Sequence, residues 1–195
     1  MKLSLPCTKV TYKLPEILSA TEVQSLLNTV GNIKHKTLLV LMYATGLRVS
    51  EAVKLRLSDI DSDRMTLHIR NCKNRKERYV ILSPAVHKLL QQYWRHCRFT
   101  DYVFPGAKPN TPMATGTASL IYKRAKARAK ISKAGGIHGL RHAFATHMLE
   151  AGENLFTIQK LLGHSSIQST VRYLQFIPDK DTKIKSPVET FGLSV

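Results

Sequence analysis

The chain is short of acids, of cysteine and of long apolar runs, and each shortage closes off a class of protein. Only 13 Asp and Glu stand against 30 Lys and Arg, giving a formal net charge of +17 at pH 7. An imbalance of that size favours polyanionic partners, with nucleic acid the leading candidate. Three cysteines, Cys7, Cys72 and Cys97, are odd in number, far apart and without a CxxC pair. That pattern argues against a zinc site or a disulfide framework and reads as reduced thiols in a reducing compartment. The longest apolar run, "TLLVLMYATGL" from Thr37 to Leu47, falls well below the ~20 residues of a membrane span. It reads as a core helix. No export signal opens the sequence, so the expected location is cytoplasmic, with no membrane partner. A P-loop and the strand–helix alternation of a dinucleotide-binding fold are both missing.

What is present suits one domain. With 195 residues, a chain buries roughly 70% of its unfolded surface. "LSATEVQSLLNTV" opens the first helix, with Ser19 and Glu22 at capping-box spacing and Leu18, Val23, Leu26, Leu27 and Val30 as its apolar stripe. Residues 36–45 predict a buried helix ending near Gly46, and "RVSEAVKLRL" begins another. Met65, Leu67 and Ile69 alternate with Thr66, His68 and Arg70, a strand pattern, and Tyr79 to Leu82 predict its partner. The intervening "NCKNRKER" reads as a hairpin loop. Asp59, Asp61 and Asp63 lack the Gly and Glu that a calcium loop needs and read as a polar turn. Further helices are predicted at "SPAVHKLLQQYWRHC", where Pro84 suits a first helical position, at the basic "TASLIYKRAKARAKI", at "GIHGLRHAFATHMLEAG", at "LFTIQKLLG" and around Tyr173. The expected class is α+β: mostly α-helical, with a small antiparallel β-hairpin or sheet.

Several residues can carry chemistry. His138 and Arg141, three apart on a predicted helix, can grip one phosphate, or be a helix-start histidine and a solvated arginine. Arg48 follows a glycine break at a helix start, where anions are already favoured; alternatively it pairs with Glu51. Lys73, Arg75, Lys76 and Arg78 form a cluster in the hairpin loop, either a DNA contact or a solvated basic turn. Lys123, Arg124, Lys126 and Arg128 stud a helix kept helical by its alanines, again for DNA or for water. His142 and His147 read as structural. Tyr173, taken alone, reads as a packing aromatic with a hydrogen-bonded hydroxyl.

Together the motifs "TGLRVSE", "CKNRKER", "HGLRH", "LLGHSS" and "STVRY" form an order that resembles the tyrosine recombinase, or phage-type integrase, catalytic domain. The resemblance runs from about residue 14 to residue 176. It implies that residues 1–13 are an N-terminal arm or linker, and that residues 177–195 are a tail docking in trans on a neighbouring protomer; a simple disordered end is the other reading of that tail. It implies a catalytic set of Arg48, Lys73, His138, Arg141, His164 and Tyr173, with Tyr173 the nucleophile. It implies site-specific recombination of double-stranded DNA through a 3′-phosphotyrosyl intermediate, by a homo-oligomer, a tetramer on paired sites, without metal, ATP or other cofactor. The work of such enzymes in mobile genetic elements comes with it. Chemistry agrees with these roles. A phenol with a pKa near 10 needs cationic neighbours or a base to attack. Two arginines can hold the nonbridging oxygens as charge builds in the transition state, and Lys73 is suited to protonate the departing 5′ oxygen. A catalytically silent DNA-binding accessory protein with the same fold is the alternative, and a type IB topoisomerase a third.

Overall fold

A computed structural model of the protein describes residues 16–70, 77–99 and 101–176. Among the described residues the chain order is α1 (Ala20–Asn28), α2 (Ile33–Thr45), α3 (Val49–Val53), β1 (Ile60–Asp61), β2 (Thr66–Ile69), β3 (Arg78–Ile81), α4 (Pro84–Cys97), α5 (Thr115–Arg128), α6 (Gly139–Glu150), α7 (Leu155–Leu162) and α8 (Gln168–Val171). A 3-10 turn, Arg172–Phe176, continues α8.

α2 is the central element because from Thr37 onward its sequence is apolar on nearly every face. Thr37, Leu38, Leu39, Leu41, Met42 and Thr45 are all buried, and α1, α3, α4, α5 and α6 all touch it. The helix ends where expected, on Gly46 at φ +65°. A β-carbon there would lie 2.5 Å from Phe144 and 2.7 Å from Leu162, so glycine is required both by the left-handed cap and by the close approach. α1 carries the expected capping box: Ser19 accepts from the Glu22 amide, and Glu22 accepts from the Ser19 amide. Its stripe is buried at Leu18, Val23, Leu26 and Val30.

The sheet is antiparallel in the order β1-β2-β3, with Leu67 opposite Val80 and Ile69 opposite Arg78. Sequence alternation placed β2 one residue too long at each end. Met65 takes a left-handed φ of 51°, which breaks the extended run. The β1 strand was not expected at all. It is only two residues long, too short to show a period, and the triplet read as a polar turn contributes Asp61 to it. Asp59 is buried and accepts from the Arg56 amide at 2.9 Å, with Arg70 Nε 2.6 Å away.

A second, smaller core forms from Phe144, Ala145, Ile158, Leu162 and Tyr173, flanked by Tyr43, Met148, Leu149, Leu161 and Phe176. It glues the C-terminal segment onto α6 and α7, and it is this packing that brings Tyr173 inward. No helix among the described residues is long and apolar enough to cross a membrane.

Candidate functional site

Arg141 is the anchor. It lies in the first turn of α6 and is 1% exposed. Its Nη1 donates to the Gly46 carbonyl at 2.7 Å and its Nη2 to the Leu162 carbonyl at 2.8 Å. Both carbonyls sit at helix C-termini, of α2 and α7, where backbone acceptors lack helical partners and the dipole favours a cation. Both helices close on left-handed glycines, Gly46 and Gly163. One guanidinium thus ties two helix ends together. Burial, then the charge of Arg48, lowers its pKa to about 10, so it stays cationic at neutral pH.

Arg48 caps the start of α3 two residues after that glycine. Glu51 accepts from the Arg48 backbone amide at 2.9 Å and from its Nη1 at 3.0 Å. The same carboxylate accepts a two-pronged grip from Arg78, Nη1 to Oε1 at 3.0 Å and Nη2 to Oε2 at 2.8 Å, while Arg78 Nε donates to the Leu161 carbonyl at 2.8 Å. Burial alone would raise the Glu51 pKa. The Arg78 hydrogen bonds and charge, with help from Arg48, overcome this and hold it at about 2. Arg78 therefore corrects the sequence reading. It was expected in an exposed basic loop facing DNA, but it opens β3, is buried, and is committed to Glu51 and α7. β-strand alternation turns it inward, opposite Ile69.

Tyr173 is 5% exposed. Its hydroxyl lies 3.0 Å from His142 Nδ1, and its ring is stacked parallel to that of His164, with centroids 6.3 Å apart. Burial pushes its phenol up, while Arg141 and Arg48 pull it back. His164 Nδ1 is 2.8 Å from Thr170 Oγ1 on α8, which fixes its ring relative to the tyrosine segment. His138 stands at the N-terminal cap of α6, edge-on to His142 with centroids 5.1 Å apart. Burial, then Arg141, disfavours its charged form. His142 and His164 are held lower still, at about 4 each, burial being the main cause. Three neutral histidines and two arginines thus surround the tyrosine.

His138 also lines a cleft of about 500 Å³ together with Tyr122, Lys123, Lys126 and the Gly135–Gly136 backbone. Lys123, Arg124 and Arg128 project exposed from α5, whereas Lys126 folds back to the Lys133 and Gly135 carbonyls. Lys73 and Lys76 lie outside the described residues, as do the arm and the tail.

The structure thus gathers Arg48, His138, Arg141, His164 and Tyr173 from four separate stretches of the chain, His138 and Arg141 sharing one. Two participants were missed. His142 was read as structural, because facing Tyr173 depends on how the last turns fold back onto α6. Glu51 entered only as a rival for Arg48, although its three-residue spacing from a helix cap was the visible signal. His147, also read as structural, bonds Tyr43 at 2.9 Å.

Comparison with known proteins bears on the family and the fold. Residues 16–178 match the phage integrase family. The Sinorhizobium fredii protein y4qK, whose name carries the words integrase and recombinase, is 43% identical over 185 residues, covering 95% of this chain and 60% of its own. The crystal structure of XerA recombinase superposes with a TM-score of 0.77 at 27% identity, over 92% of this chain and 63% of that one. The catalytic domain of bacteriophage HP1 integrase gives 0.71 at 26% identity, over 90% of this chain and 95% of that domain. The chain spans about 60% of the length of y4qK and of the XerA chain.

Proposed function

The chain belongs to the phage integrase family, and from that premise we propose that it cleaves and rejoins duplex DNA at specific sites through a covalent 3′-phosphotyrosyl bond to Tyr173. The observation that carries this is the convergence of Tyr173, Arg141, Arg48, His138 and His164 in one site although the chain carries them in four separate motifs. In this reading a scissile phosphate enters beside Tyr173. Arg48 and Arg141 stabilise the charge on its nonbridging oxygens, in a site that partly excludes water, where such charges act strongly. Glu51, kept ionised by Arg78, holds Arg48 in place. His164, clamped by Thr170, and His138, at the mouth of the cleft, contact the phosphate. Lys73, in the segment between β2 and β3, protonates the departing 5′ oxygen.

The product is a 3′-phosphotyrosyl end and a free 5′ hydroxyl. Attack by a 5′ hydroxyl of another strand reverses the step and completes an exchange. Because the bond energy is kept in the phosphotyrosyl link, ATP and metal are not called for. The exposed cations of α5, Lys123, Arg124 and Arg128, with Lys126 in the cleft and Lys76 three residues after Lys73 in sequence, track the DNA backbone. Exchange between two duplexes needs four active tyrosines, hence a homotetramer on paired sites. It acts where the DNA of the cell lies, in the cytoplasm, and suits a mobile genetic element. The test is covalent capture on a nicked duplex, in which the piece beyond the cut diffuses away and leaves the enzyme linked to DNA.

A further inference from the structure

Resting on that reading, we propose that His142 is a further catalytic residue: it takes the phenolic proton from Tyr173 as the tyrosine attacks, and returns it when the strand is rejoined. Its Nδ1 lies at bonding distance from the attacking oxygen, 3.0 Å from Tyr173 Oη. Arg141 also bonds the phenol, but a guanidinium only donates and cannot take its proton, and neither motif histidine is placed as His142 is. His138 lies edge-on to His142, and His164 stacks on the Tyr173 ring while its Nδ1 engages Thr170. General acid–base transfer requires a heavy-atom separation of about 2.6–3.2 Å, and the His142 contact meets it.

The groups facing His142 are His138 and Arg141 on its own helix, and Tyr173 and His164 from the C-terminal segment. Burial, then His138 and Arg141, keeps it neutral. A neutral imidazole whose Nδ1 faces a phenol is an acceptor when the proton sits on Nε2. The same surroundings keep the resting nucleophile quiet. Burial pushes the phenol up and the imidazole down, so the proton stays on Tyr173 until a phosphate is attacked. As the Oη–P bond forms, the phenolic oxygen loses its affinity for the proton, and an anionic phosphate nearby favours the imidazolium. Transfer then becomes downhill. The step balances: the Oη–P bond forms, the P–O5′ bond breaks, the phenolic proton moves to His142 Nδ1, and the leaving oxygen takes a proton from Lys73.

Two readings of the whole chain test this. The first is nuclear magnetic resonance of the nitrogen-labelled histidines without DNA. The proposal expects an unprotonated His142 Nδ1 whose signal moves in Tyr173→Phe; a protonated Nδ1 overturns it. The second is single-turnover cleavage of a nicked duplex cut from the DNA flanking the gene, with His142→Ala and His142→Asn. Asn can accept the phenolic hydrogen bond but cannot take the proton. Both variants should slow cleavage by about 10²-fold or more, and a substrate with sulfur at the bridging 5′ position should rescue Lys73→Ala but neither His142 variant. Full activity in His142→Asn shows mere positioning and overturns the proposal alone, as does rescue of His142→Ala by sulfur. If the unsubstituted chain forms no adduct, the reading as a DNA-joining enzyme fails, and the base role fails with it.

Discussion

Both nitrogens of the Arg78 fork meet both oxygens of Glu51, at 3.0 and 2.8 Å, inside the protein. The pair links β3 to α3, and through Glu51 it sets the backbone and side chain of Arg48. A buried pair that loses one partner leaves an uncompensated charge, which costs about 3–5 kcal/mol. Arg78→Ala is expected to lose stability on that scale in urea titration, and Arg48-dependent chemistry with it. A loss under about 1 kcal/mol would mean the pair is peripheral. The folded Glu51 pKa lies below its ordinary value, at about 2. Its contribution is therefore complete above the unfolded carboxylate range and fades as the pH falls from there towards 2.

Acid should also act through the histidines. His142 and His164 have folded pKa values of about 4, below an unfolded value near 6.5. The neutral form is the one the fold accommodates. Their contribution is full above pH 6.5 and is lost as the pH falls towards 4. His164→Asn should flatten the change in unfolding free energy between pH 7 and pH 4.5. An unaltered slope would show that His164 is not held neutral.

Gly46 makes a third test. Its left-handed φ and the nearness of Phe144 and Leu162 leave no room for a methyl group. Gly46→Ala should cost about 2–4 kcal/mol from backbone strain and overpacking together, read as a lower midpoint in urea. It also displaces the carbonyl that Arg141 holds, so cleavage should fall further than stability alone explains. A variant as stable and as active as the parent would contradict the arrangement.

How much of this the sequence showed depended on range. The first helix was legible because its capping box and apolar stripe are local, and the left-handed glycines 46 and 163 marked their helix ends. The ordered motifs carried the family. Arg78 was misplaced because a charged residue in a basic run looks solvated until a strand turns it inward towards a distant Glu51. His142 was passed over for a related reason. Its neighbour Arg141 carried the motif, and only the return of Tyr173 onto α6 gives His142 an object. Where α5 is concerned, composition showed the charge but not that Lys126 is drawn back to backbone carbonyls.

The exposed cations of α5 should behave differently from Arg78. Lys123→Ala should leave folding intact and weaken DNA binding evenly across sequences. The log–log dependence of affinity on salt should become shallower by about 0.9 if Lys123 neutralises one phosphate. Filter binding at several salt concentrations reads this directly. An unchanged slope would return Lys123 to the solvent.

The central claim is that Tyr173 joins the protein to DNA. The measurement is denaturing electrophoresis of the chain after incubation with a labelled nicked duplex from the DNA flanking its gene. The unsubstituted protein should carry label covalently, with the adduct mapping to Tyr173, and Tyr173→Phe should bind the duplex but carry none. Label retained in Tyr173→Phe, or absent from the unsubstituted protein while it binds the same duplex, would contradict the account.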